Sequence, residues 1–166
     1  MLIYHPAFDA YHCVFRMLAI TSEKRILEFA KLRILDFFLC FPAEVAVVQL
    51  PQEHSEIRRL ARVARNPYRG PINSARTFRE LEPIQSAAAR LLGLTGVFSI
   101  ADLENGRVIR TGQEIPEDLK RLSDAASAFS SPLDRYVVST MSEIPLAGFG
   151  GLKQRTGLME YRYDAD

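Results

Sequence analysis

The stretch from Pro83 to Thr111, PIQSAAARLLGLTGVFSIADLENGRVIRT, limits the folds open to this chain more than any other. Proline suits the first turn of a helix, where its missing amide costs nothing, so Pro83 starts a short apolar helix. A glycine stop and an apolar strand follow, leading to Asn105-Gly106. Asn-Gly tolerates positive φ and fits the two-residue turn whose twist matches that of its flanking strands. With Ile100 and Leu103 before it and Val108 and Ile109 after it, the segment reads as a β-hairpin. A helix followed by a hairpin is the back half of a winged helix.

The rest of the chain supplies helices around that unit. Asp9 is a side-chain cap for a helix whose inner face carries Tyr11, Val14, Phe15 and Leu18. Thr21-Ser22 caps a second helix ending at Pro42, apolar around much of its circumference and therefore central to a core or an interface. Phe37, Phe38 and Phe41 at its end are candidate partner-interface residues. The segment AEVAVVQL between Pro42 and Pro51 fits a strand or one more helical turn equally well. A third helix runs from Glu53 to Arg65 on an Ile57, Leu60, Ala61 and Ala64 stripe, and the Pro- and Gly-bearing NPYRGPINSARTF connects it onward. Pro116 and Ser131-Pro132 open two further helices, the first reaching about Ser130 and the second ending before Pro145. The expected fold is mostly α with a small β-hairpin: an elaborated winged helix-turn-helix core with C-terminal helices. Residues 1–116 form that core with an inserted basic arm (66–82), and residues 117–166 pack on it as helices and a Gly-rich tail, one domain overall.

Composition narrows function. With 166 residues, 48% of them hydrophobic and 25% charged, the chain is globular and large enough to bury roughly two thirds of its unfolded surface. Cys13 and Cys40 sit in apolar runs, as buried reduced thiols do, which fits a cytoplasmic location. The N-terminus starts apolar, lacks a basic leader and is broken by Pro6 and Asp9, so no signal peptide is expected. The longest apolar stretch, Ile34 to Leu50, is interrupted by Asp36, Pro42 and Glu44 and falls short of the ~20 residues of a membrane span. The net charge of +1 conceals an uneven spread: residues 1–66 carry nine basic and seven acidic side chains, and residues 112–166 six and nine. A basic front and an acidic tail suit a protein that touches two partners.

No acid lies between Glu56 and Glu80, where Arg58, Arg59, Arg62, Arg65, Arg69 and Arg76 make the densest basic stretch. Guanidinium forks bind phosphates or carboxylates, so these residues, with Arg107 and Arg110 of the wing, are candidates for nucleic-acid or acidic-partner binding. A solvated helix face explains them as well. The helix after Pro83 offers only Gln85, Ser86 and Arg90 among alanines and leucines, a surface suited to docking on protein at least as well as to reading DNA. Motifs for nucleophilic, nucleotide or zinc chemistry are absent. His5, His12 and Cys13 could be imagined as a small hydrolase site, and His54 is the only further histidine for a metal. The tail has glycines at 148, 150, 151 and 157; it reads as a flexible turn or as a segment that orders on a partner through Lys153, Arg155 and Tyr161.

Three blocks, LIYHPAFDAYHCVFRML, KLRILDFFLCFP and GLKQRTGLMEYRYD, resemble the middle components of bacterial ABC-type three-component systems over nearly the whole chain. The more specific parts are Tyr4-His5-Pro6, Asp9 and Tyr11-His12 at the start, and Leu152-Lys153 and Arg155-Thr156-Gly157-Leu158 at the end. The resemblance implies a non-catalytic subunit, without cofactor, metal or small-molecule substrate. It would bridge an ABC ATPase of the chromosome-maintenance (SMC-like) type to a third effector component such as a nuclease, in defence against phage or plasmids, with DNA contact as a further expectation. It assigns no catalytic residue. A free-standing winged-helix DNA-binding regulator is the alternative that the residues leave open.

Overall fold

The computed structural model describes residues 5–125 and 129–162; Met1–Tyr4 and the acidic end with Asp164 and Asp166 lie outside the described residues. Helix α1 (Ala10–Glu23) starts at Asp9, whose Oδ1 accepts the amides of Tyr11 (2.9 Å) and His12 (3.1 Å). Val14, Phe15 and Leu18 are buried as expected, whereas Tyr11 is exposed.

The second helix does not begin at Thr21-Ser22. Both hydroxyls turn back into α1, Thr21 Oγ1 donating to Met17 O (2.8 Å) and Ser22 Oγ to Ala19 O (2.7 Å). The chain then extends as strand β1 (Ile26–Glu28) and enters helix α2 (Phe29–Cys40), whose first amide donates to Gly106 O at 2.8 Å. Between Pro42 and Pro51 the chain takes a 3-10 turn (Pro42–Val47). Helix α3 (Ser55–Ala64) packs on that turn, and helix α4 (Ser74–Glu80), capped by Asn73, sends Phe78 into the core. Helix α5 (Glu82–Leu94) carries Pro83 in its first turn, as expected.

The expected hairpin at Asn105-Gly106 is replaced by a short helix, α6 (Ile100–Glu104). Ser99 caps it: its Oγ accepts Asp102 N at 3.4 Å and donates to Asp102 Oδ2 at 2.6 Å. Gly106 does adopt positive φ (75°), but it closes α6, donating its amide to Leu103 O. Strand β2 (Arg107–Ile109) then pairs antiparallel with β1, in the register Ile26–Ile109, Leu27–Val108 and Glu28–Arg107. An isolated hairpin is marginal in water, whereas β2 laid on β1 buries Leu27 and Val108 together. The hairpin's outer arms still meet beyond α6, where Phe98 bridges Arg110. The chain is thus mostly helical with a small two-stranded antiparallel sheet, paired across the sequence.

Helix α7 (Glu117–Ala125) follows; its expected extension toward Ser130 crosses residues 126–128, outside the described residues. Helix α8 (Pro132–Arg135), capped by Ser131, continues as a π turn (Tyr136–Thr140) and a 3-10 turn (Met141–Glu143), so the expected run to Pro145 is one helical segment of changing pitch. Helix α9 (Leu152–Thr156) is the last element among the described residues. Among the described residues no helix is long and apolar enough to cross a membrane.

Helix α2 is the centre of the core, buried at every position from Lys31 to Leu39. Full enclosure forces its polar residues to find partners. Asp36, completely buried, accepts Arg16 Nε of α1 at 2.6 Å and Gln85 Nε2 of α5 at 2.9 Å. Gln85 Oε1 accepts Arg33 Nε (2.8 Å), and the Arg33 guanidinium lies 4.5 Å over the Phe78 ring. One network therefore ties α1, α2, α4 and α5. Burial, the largest influence, lowers the Arg16 pKa, but the charge and hydrogen bond of Asp36 together with the nearby Cys40 and Cys13 sulfurs raise it by more and hold the guanidinium above its ordinary value.

Candidate docking surfaces

The arginine stretch divides by what each guanidinium meets. Arg59 pairs with Glu56 (2.6 Å) and Arg76 with Glu80 (2.9 Å), one helical turn apart in each case. Arg58 donates to Leu50 O at 2.7 Å, while its buried Nε has no partner among the described residues. Arg65 lies 3.8 Å from the buried carboxylate of Glu44. Arg62 and Arg69 are exposed and meet no acid among the described residues. Arg79, in the same stretch but not singled out from sequence, is exposed in the same way. Arg107, on β2, is exposed, whereas Arg110 is half-buried and donates to Leu18 O; burial and then the neighbouring Arg25 charge lower its pKa.

Between α3 and α4 the chain from Asn66 to Asn73 makes a loop gathered around Glu44. Ser74 Oγ donates to Glu44 Oε2 at 2.9 Å, and a side chain at Gly70 would come within 3.5 Å of Glu44 Oε1. Within the loop, the Gly70 amide donates to Asn66 O and the Tyr68 amide to Asn66 Oδ1. Held this way, the loop presents Tyr68, 95% exposed, and a fully exposed Ile72, with Val63 of α3 exposed as well. Val63 next to Arg62, and Tyr68 and Ile72 within three residues of Arg69, give this stretch the exposed composition found in protein interfaces.

A second surface is a groove of about 410 Å³ where α5 meets α6. Gly93 lets the two helices approach, since a Cβ there would sit 3.2 Å from Ile100 Cγ1. Phe29, Ala89 and Leu103 line it, and Leu94 and Ile100 stand exposed at its edge. Of the polar residues expected on α5, Ser86 and Arg90 border this groove, while Gln85 belongs to the core network.

The remaining sequence candidates have other surroundings. Phe37, Phe38 and Phe41 are buried, Phe37 meeting Phe38, Phe41 and Phe78 ring to ring, so none is open to a partner in this chain. Lys153 and Arg155 are half-buried on α9, and Tyr161 is 38% exposed. His5 Nδ1 accepts the Ala7 amide and its ring stacks on Phe41. The Cys13 thiol is fully buried against Asp36, and burial, then that carboxylate, push its pKa far up, the reverse of what a nucleophile requires. Among the described residues no three His, Cys, Asp or Glu side chains are grouped to hold a metal.

The chain matches the family described as ABC-three component (ABC-3C) system Middle Component 5 over residues 2–164. No curated protein and no solved structure matches it.

Proposed function

The chain belongs to the ABC-3C Middle Component 5 family, and from that premise we propose that it is a non-catalytic bridging subunit. It holds an SMC-like ABC ATPase and an effector together in a defence complex by docking each on a separate surface. The observation that carries this reading is the Asn66–Asn73 loop. A loop whose two flanks, Arg65 and Ser74, meet Glu44, with exposed Tyr68 and Ile72 and with Arg62 and Arg69 meeting no acid among the described residues, suits an acidic protein surface with apolar contacts. The α5–α6 groove, on other elements, supplies the second contact.

Protein is favoured over DNA as the partner of the arginines. Among the six from Arg58 to Arg76, Arg58, Arg59, Arg65 and Arg76 are engaged within the chain, and phosphate binding needs several free guanidinium groups together. The order α1–β1–α2, with β2 returning to β1 and Phe98 bridging Arg110, supports an elaborated winged-helix core in which α6 takes the place of the wing tip. In a bridging subunit that core is a scaffold and need not read base sequence.

The test is reconstitution with the other two components of the same system. The expected outcome is that ATPase and effector co-elute in size-exclusion chromatography only when this chain is present. Co-elution without it, or a chain that binds neither component, contradicts the proposal. Salt-sensitive DNA binding by the chain alone, lost in the Arg62→Ala/Arg69→Ala variant, would favour the regulator instead.

A further inference from the structure

The glycine-rich segment before α9, expected as a flexible turn or as a segment that orders on a partner, makes a set of hydrogen bonds within the chain. Gly148 and Gly150 take positive φ (79° and 73°), a conformation that side-chain-bearing residues rarely adopt. Gly151 is required for space, because a Cβ there would meet Ala147 O at 2.4 Å. The turn is tied on both sides: Gly151 N donates to Gly148 O (3.1 Å), Leu152 N to Pro145 O (2.7 Å) and Gly150 N to Gln154 Oε1 (2.6 Å). Arg155 donates to Gly150 O and, across the chain, to Gln49 O, while Gln49 N donates to Arg155 O at 3.1 Å. Leu152 at the base is completely buried.

All this local order carries one side chain at its tip. Phe149, between the two positive-φ glycines, is 96% exposed. A rigid turn that holds a single aromatic ring in water forgoes its burial and gains nothing for the isolated fold. The arrangement does lower the cost of binding, since an anchor already fixed in place loses little entropy on docking. Its surroundings specify the partner. From Pro145 to Thr156 the charged residues are Lys153 and Arg155, and from Val45 to Gln52 there is none. The Arg155 side chain donates to backbone carbonyls, and among the described residues no acid pairs with it.

We propose that Phe149 is a pre-organised anchor that inserts into an apolar pocket, rimmed by acidic side chains, on one of the companion proteins of the system. The proposal rests on the bridging reading and adds a contact to it. A lipid surface is disfavoured because one ring with two basic neighbours is far less than stable membrane attachment needs. Insertion between base pairs is disfavoured because two basic neighbours supply few of the phosphate contacts that hold bent DNA around an inserted side chain.

The experiment measures dissociation constants of the full-length chain for each companion component, for wild type, Phe149→Ala, Phe149→Leu and Gly150→Ala, with thermal unfolding of each variant as the folding control. Phe149→Ala is expected to unfold at the wild-type temperature and to bind one component about 30-fold more weakly, the size of an interface hot spot. Phe149→Leu should lose less, and Gly150→Ala should weaken the same component although the ring is still present. Unchanged affinity of Phe149→Ala for both components overturns the anchor and leaves the bridging reading intact. A wild-type chain that binds neither component overturns both. The anchor is also overturned if Phe149→Ala instead abolishes binding to anionic phospholipid vesicles, retention on duplex DNA, or self-association.

Discussion

Two regions of this molecule use arginine in opposite ways. Arg16 and Arg33 lie in apolar helices and are buried, each held by a neighbour on another helix: Asp36 for Arg16 and Gln85 for Arg33. Arg62, on α3, and Arg69, in the proline-bearing loop that follows, stand in water in a stretch that also exposes Val63, Tyr68 and Ile72. In the first region the guanidinium is part of the fold, because a charge taken out of water must be paired. In the second it is free to meet another molecule. Arginine density in the sequence therefore points to neither role; the surroundings decide.

The comparison can be broken most forcefully at Asp36. Asp36→Ala leaves Arg16 buried without its carboxylate and removes an acceptor from Gln85. Loss of one member of a buried ion pair costs roughly 3–5 kcal/mol, which lowers the unfolding midpoint of a chain this size by about 10 °C. Thermal unfolding by circular dichroism measures it, and a shift within error would mean that the network does not hold α1, α2 and α5 together.

A smaller effect sharpens the edge of the buried region. Burial, and next the Arg16 charge, lower the His5 pKa, and His5 Nδ1 must stay unprotonated to accept the Ala7 amide. Between the lowered folded value and about 6.5 the unfolded chain binds more protons, so stability falls as the pH drops. Midpoints measured from pH 7.5 to 5.5 should decline, and His5→Asn, which keeps an acceptor but cannot charge, should decline less. Equal slopes for the two proteins would remove His5 from the account.

How much of this was legible in the sequence follows the same division. Helix ends set by local chemistry were readable: Asp9, Pro83 and Ser131-Pro132 each act within one turn of their own position. Elements set by distant partners were not. Ile26–Glu28 is a strand because Arg107–Ile109 lies beside it, and nothing in the adjoining apolar run announces that. Asn105-Gly106 was ambiguous, since a positive-φ glycine closes a helix as well as a hairpin, yet Ser99 and Asp102 form a capping pattern that favoured the helix. At the candidate surfaces, the Glu56–Arg59 and Arg76–Glu80 pairs could have been subtracted by their spacing alone. The approach of Glu44 to Arg65 could not, because the fold closes that contact. Phe37, Phe38 and Phe41 illustrate the same limit: an apolar run does not say whether it is buried by its own chain or by a partner.

The smallest expected effect on stability belongs to the exposed region, and it coincides with the largest expected effect on binding. The Arg62→Glu/Arg69→Glu/Tyr68→Ala variant changes exposed side chains, so its unfolding midpoint should stay near that of wild type, within the ~0.5 kcal/mol usual for each surface substitution. The decisive measurement is the affinity of this variant for the purified ATPase and effector components, taken alongside its unfolding midpoint. The account predicts that affinity for one component falls at least about 30-fold, as for a lost interface hot spot, while the other component and the fold are unaffected. Wild-type affinity for both components would contradict it.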